Sequence, residues 1–214
     1  MFNKFKIGIL KDKKDIEFVF TNDDIINITG MMGSGKTTLA KSIVNSTKKE
    51  LIIFDWMFGR SLGNRPDKIE KLLKTFEEEY PETINQEIFK NNKDRDNEKE
   101  IQKYATIIYN FVLKNIKLPM VIEGQHLYKW MDYNALKGKL IIKRTSLFNS
   151  YIRAFKRDVS RRCKQYKNGE VDKKDVINKV QERIVLPIKD YFKINKFILE
   201  LLKERQHEKY KDVS

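Results

Sequence analysis

Eight consecutive residues constrain this chain more than all the others. Gly30-Met31-Met32-Gly33-Ser34-Gly35-Lys36-Thr37 satisfies G-x-x-x-x-G-K-[ST] at every fixed position. The flanks are also right: the apolar run Ile25–Thr29 leads into Gly30, and helical spacing follows at Leu39, Ile43 and Val44. Glycines let backbone N–H groups converge on phosphate oxygens without interference from a Cβ, and the helix N-terminus adds its positive dipole end. The spacing therefore predicts a phosphate cradle between a buried strand and a helix. Gly30, Gly33, Ser34, Gly35, Lys36, Thr37 and Thr38 would hold ATP or GTP, with Lys36 on the β/γ-phosphates and the Thr37 hydroxyl in the Mg²⁺ shell.

The rest of the pattern extends that unit. Phe5–Leu10 and Ile16–Phe20 predict a hairpin within residues 1–24. Leu51–Phe54, Leu118–Ile122 and Leu140–Ile142 predict further strands. Apolar residues at helical spacing from Ile69 to Tyr80 and from Ile101 to Val112 predict two helices inside a charged insert, residues 68–117. Residues 91–100 are almost wholly charged or amide there. A helix over 146–167 and C-terminal helices over 172–214 complete the chain, with breaks expected at Asn168-Gly169 and at Pro187. Strands alternating with helices imply one α/β domain, a three-layer sandwich around a mostly parallel sheet of about five strands.

Composition removes other classes. Gly and Pro together number 13 of 214 residues and no apolar run reaches membrane-spanning length, so collagen-like, low-complexity and membrane-spanning readings fall away. The N-terminal stretch lacks the apolar core of a signal peptide, and the lone Cys163 has no internal disulfide partner; both predict a cytoplasmic protein. Of the net charge of +14, Lys137–Lys167 carries +10, from eleven basic residues and the single acid Asp158. That concentration points to a polyanion: nucleotide phosphates, a phosphorylated substrate or a nucleic-acid backbone.

Three side-chain groups are candidates for the chemistry. Asp55 and Glu123 each end an apolar run, where parallel sheets place ligands beyond the strand ends. His126 follows close behind, as substrate contact or hydrogen-bonded structural group. Trp56, Met57 and Phe58 are either acceptor wall or core. Arg153, Arg157, Arg161 and Lys164 share one helical face, with Ile152, Phe155, Val159, Cys163 and Tyr166 expected as the buried stripe. Like charges four apart repel, so something must offset them; a triphosphate or a nucleic acid would.

Taken in order, Gly30–Leu39, Asp55-Trp56-Met57-Phe58, Val121-Ile122-Glu123-Gly124 and the arginine-rich Arg153–Arg162 resemble P-loop nucleoside and nucleotide kinases, most of all the uridine kinase and phosphoribulokinase branch. The resemblance implies ATP-dependent phosphoryl transfer to a small hydroxyl or phosphate acceptor. In it Asp55 is the base, Glu123 supports Mg²⁺, and Arg153, Arg157, Arg161 and Arg162 form a lid on the nucleotide. The N-terminal hairpin resembles instead DNA-pumping and conjugative ATPases, in which Glu123 would be hydrolytic and the basic helix would track DNA.

Overall fold

Parallel pairing decides where the two acids go. A computed structural model of the chain describes residues 6–10, 23–58, 66–81 and 98–211. The chain divides into two compact units, Met1–Thr29 with Lys36–Ile142, and Gly30–Gly35 with Lys143–Ser214. Five strands, β1 (Lys6–Leu10), β2 (Ile25–Gly30), β3 (Glu50–Ile53), β4 (Met120–Glu123) and β5 (Lys139–Lys143), lie in the order β1-β5-β2-β4-β3. The α/β architecture predicted from the sequence is the one observed. Of the expected hairpin, β1 is an edge strand, while Ile16–Phe20 falls outside the described residues.

β4 pairs parallel with β2 and with β3, in a register that sets Ile28 and Ile53 level with Glu123. All four residues of β4 are buried, as expected of a strand flanked on both sides. Helix α1 (Lys36–Thr47) buries Leu39, Ala40 and Ile43 against Ile26, Ile28, Val121 and Ile141. Those side chains recur at helical spacing on one face and at strand spacing on the other.

The segment expected as an insert supplies core. Helix α2 (Asp67–Glu79) begins after Pro66, carries Asp67 and Glu70 in its positive first turn, and buries Ile69, Leu72, Leu73 and Phe76. Helix α3 (Glu98–Asn115) buries Ala105, Ile108, Tyr109, Phe111 and Val112. Phe76 and Phe111 meet edge to face at 5.1 Å between ring centres. Tyr109 also carries a polar link: its hydroxyl donates to Asn27 Oδ1 at 3.0 Å and accepts from the Lys137 amide at 3.1 Å. Asn27 Nδ2 in turn donates to the Lys137 carbonyl at 2.7 Å, so a buried polar residue on β2 is satisfied. Burial pushes the Tyr109 phenol up to about 12.

In the second unit, helix α4 is the long basic segment Leu147–Lys167, capped by Ser146, whose hydroxyl accepts from the Asn149 amide at 3.2 Å. It packs against helix α5 (Lys173–Lys211). Two expectations are corrected here. Pro187 does not break the C-terminal helix, which runs unbroken through it for 39 residues. An interior proline costs about 3 kcal/mol, which burial of Ile194, Phe197, Ile198 and Leu201 along the same helix outweighs. The buried face of α4 is Ser150, Ala154 and Asp158 rather than the predicted apolar stripe, whose Tyr166 is 48% exposed.

Candidate nucleotide site

Because β3 and β4 end level, their trailing acids sit side by side. Glu123 is buried, with Oε1 3.6 Å from the Lys36 ammonium and Oε2 accepting from the Thr37 hydroxyl at 3.1 Å. The two motif residues expected to serve phosphate and metal are thus joined to the acid expected to support the metal. Burial pushes the Glu123 carboxyl above its ordinary value and nearby Asp55 adds to the shift, against the pull of Lys36 and the Thr37 hydrogen bond. The strand end is tied down behind it: the Gly124 amide donates to the Ile28 carbonyl at 3.1 Å and Thr29 Oγ1 donates to the Gly124 carbonyl at 2.8 Å.

Asp55 sits in the one-turn helix Phe54–Phe58 that follows β3. Its Oδ2 accepts from the Gln125 amide at 3.0 Å and its Oδ1 from the His126 amide at 3.0 Å. His126 Nδ1 approaches Oδ1 to 2.7 Å, out of line for a straight hydrogen bond. Burial alone would push Asp55 up. The His126 imidazole, its amide and the Lys36 ammonium outweigh burial and hold the carboxyl well below the usual range. Gly124 makes the arrangement possible, since a Cβ there would lie 2.7 Å from Asp55 Oδ1. His126 stacks on Trp130 at 3.9 Å and touches Phe58 at 4.7 Å. Met57 and Phe58 are core residues; Trp56 is half-buried.

The phosphate loop belongs to the second unit together with α4. Gly33 and Gly35 have φ of +77° and +86°, conformations that turn successive amides toward one side. At Gly33 a Cβ would also stand 2.5 Å from the Ser150 carbonyl. The Ser150 hydroxyl donates to the Met32 carbonyl, pinning the loop to the start of α4. The Ser34 hydroxyl is buried with no hydrogen-bond partner among the described residues. Thr38 is exposed on α1.

The arginines divide. Arg157 Nε lies 2.7 Å from Asp158 Oδ1 and Arg161 donates to the same oxygen at 3.2 Å, around a fully buried aspartate side chain. The repulsion expected to require a polyanion is thus offset within the helix. Arg162 donates to Gln165 at 3.1 Å. Arg153, one turn beyond Ser150, is exposed and carries no hydrogen bond or ion pair with the described residues. The Asp158 signal lay in the sequence, next to Arg157 and three before Arg161. Asp55's engagement had none, and the Asn27–Tyr109–Lys137 network only an asparagine inside an apolar strand.

A family model described as the NB-ARC domain matches residues 10–122, just over half the chain and inclusive of the phosphate loop. The chain belongs to the NB-ARC family. That makes this NB-ARC protein a nucleotide-binding P-loop NTPase. Among solved structures, the crystal structure of TT1252 from Thermus thermophilus aligns over 85% of this chain and 99% of its own, at 18% identity and a TM-score of 0.37. No curated protein matches the sequence. Among the described residues no helix is long and apolar enough to cross a membrane.

Proposed function

We propose that this P-loop NTPase is a phosphotransferase, moving the γ-phosphoryl group of a nucleoside triphosphate to a nucleoside-, nucleotide- or sugar-like acceptor. The observation that carries the reading is the engagement of Glu123. One oxygen faces Lys36 and the other accepts from Thr37, and the strand ends Ile122-Glu123-Gly124 rather than in two consecutive acids. Lys36 and the loop amides bind the triphosphate; Arg153 on α4 supplies charge to the phosphates held by that loop.

Thr37 and Glu123 fit Mg²⁺, a cation that takes one or two protein oxygens and fills its shell with phosphate and water. When bound, Mg²⁺ neutralises charge on the transferring phosphoryl group.

A second reading, a nucleic-acid-stimulated ATPase, is favoured by the +10 balance of Lys137–Lys167. Asp158, already counted in that balance, is shared by Arg157 and Arg161, so those two arginines are held along the helix by one acid. A screen with γ-labelled ATP and GTP against nucleosides, nucleoside monophosphates, sugar nucleotides and 5′-hydroxyl oligonucleotides tests the two. One labelled acceptor supports phosphotransfer, while phosphate release stimulated only by DNA or RNA supports the ATPase.

A further inference from the structure

Asp55, the acid expected to take the acceptor's proton, has little basicity to offer. Its two oxygens already accept from two backbone amides, and one of them also faces His126. The imidazole is differently placed. A carboxylate oxygen only 2.7 Å from Nδ1 requires that nitrogen to carry the proton. In the neutral ring the lone pair then lies on Nε2, which has no hydrogen-bond partner among the described residues, and the side chain as a whole is 15% exposed. Centre distances of 3.9 Å to Trp130, 4.7 Å to Phe58 and 5.2 Å between those two rings make a triangle that restricts rotation of the imidazole. The pair lies beside the motif residues, since Asp55 accepts from the amides two and three residues after Glu123, whose carboxylate meets Lys36 and Thr37.

We propose that His126 Nε2 is the general base of the transfer, that Asp55 is the residue positioning it, and that the acceptor is therefore an alcohol. This deepens the phosphotransferase reading and rests on it. A phosphate acceptor is already ionised and needs no base, whereas a hydroxyl must give up a proton as it attacks. The hydroxyl proton passes to Nε2, the oxygen's electron pair forms the new bond to the γ-phosphorus, and the bond from that phosphorus to the β–γ bridging oxygen breaks. The electrons of that bond leave with the nucleoside diphosphate, and His126 returns its proton to water.

The test compares wild type, His126→Ala, His126→Gln and Asp55→Asn in single-turnover transfer from γ-labelled ATP to hydroxyl acceptors and, separately, to nucleoside monophosphates. Binding of a fluorescent ATP analogue and thermal unfolding are measured alongside. Wild type is expected to label hydroxyl acceptors only. His126→Ala should transfer about 10²–10⁴-fold more slowly, with nucleotide affinity within about twofold and partial recovery on adding free imidazole. His126→Gln, which retains an amide able to face Asp55, should be as slow and keep the fold if the alanine variant does not. Asp55→Asn should slow transfer at unchanged nucleotide affinity and gain nothing from imidazole, since its His126 is present but misdirected. Wild-type rates in both His126 variants, or transfer to nucleoside monophosphates alone, would overturn this inference while leaving phosphotransfer standing. Labelled phosphate as the sole product of wild type would overturn both.

Discussion

Replacing Asp55 by Asn keeps the side chain's size and removes its charge and one acceptor oxygen. In the folded protein that carboxylate accepts two amide hydrogen bonds at 3.0 Å and faces Nδ1 of His126 at 2.7 Å, with its side chain 18% exposed. Hydrogen bonds to a charged group contribute about 1.5–3 kcal/mol each. The asparagine oxygen keeps one amide partner and its NH₂ faces the other donor, so the loss at pH 7 is about 2–4 kcal/mol. A protein of this size shifts by about 2–4 °C per kcal/mol, which gives a fall in Tm of roughly 4–16 °C. The folded carboxyl titrates below its ordinary 3.8, so this stabilisation is fully present above that value. It is lost as pH falls through the depressed folded value. Calorimetric melts of both proteins between pH 7 and the lowest pH at which wild type still folds should therefore show the gap in Tm shrinking on acidification. A gap below about 2 °C at pH 7, or one independent of pH, would refute the assignment of Asp55 as an ionised anchor.

Lys36→Ala should reduce nucleotide turnover by at least about 10²-fold, read by coupled diphosphate release, while far-UV circular dichroism is unchanged. The fold survives because Glu123, already pushed up by burial, can protonate rather than remain an unpaired charge. Tyr109→Phe strands Asn27 Oδ1 and the Lys137 amide in the interior, so it should cost about 2–4 kcal/mol and roughly 4–16 °C in Tm by calorimetry, with activity at low temperature retained. Arg153→Ala should lower kcat by about 10²–10³-fold in steady-state assays, and Arg157→Ala far less, because Arg157 is committed to Asp158.

Much of this was legible in the chain. The phosphate loop needs glycine at fixed offsets, and its strand and helix flanks carry opposite periodicities, so Gly30–Thr37 reveals both the cradle and the layer type. Strands ending in Asp55 and Glu123 were visible as short apolar runs closed by an acid. What those acids touch was not, since Thr37 and Glu123 are 86 residues apart and Asp55 and Gln125 are 70. Such partners emerge only when parallel strands bring their ends level. The Asn27–Tyr109 bond, spanning 82 residues, was hidden for the same reason, and an asparagine inside an apolar strand was its one faint trace. The basic helix failed differently. Its apolar residues do recur at helical spacing, but small Ser150 and Ala154 allow closer approach than Phe155 or Tyr166 and took the buried face. Pro187 shows a local rule yielding to packing along a 39-residue helix.

The fate of one phosphoryl group tests the whole account. With enzyme in excess over γ-labelled ATP and with hydroxyl acceptors supplied, a quenched single turnover should place most of the label in an acceptor phosphate ester. That product should vanish in Lys36→Ala. Label recovered wholly as inorganic phosphate, at the same rate with or without acceptor, would contradict it.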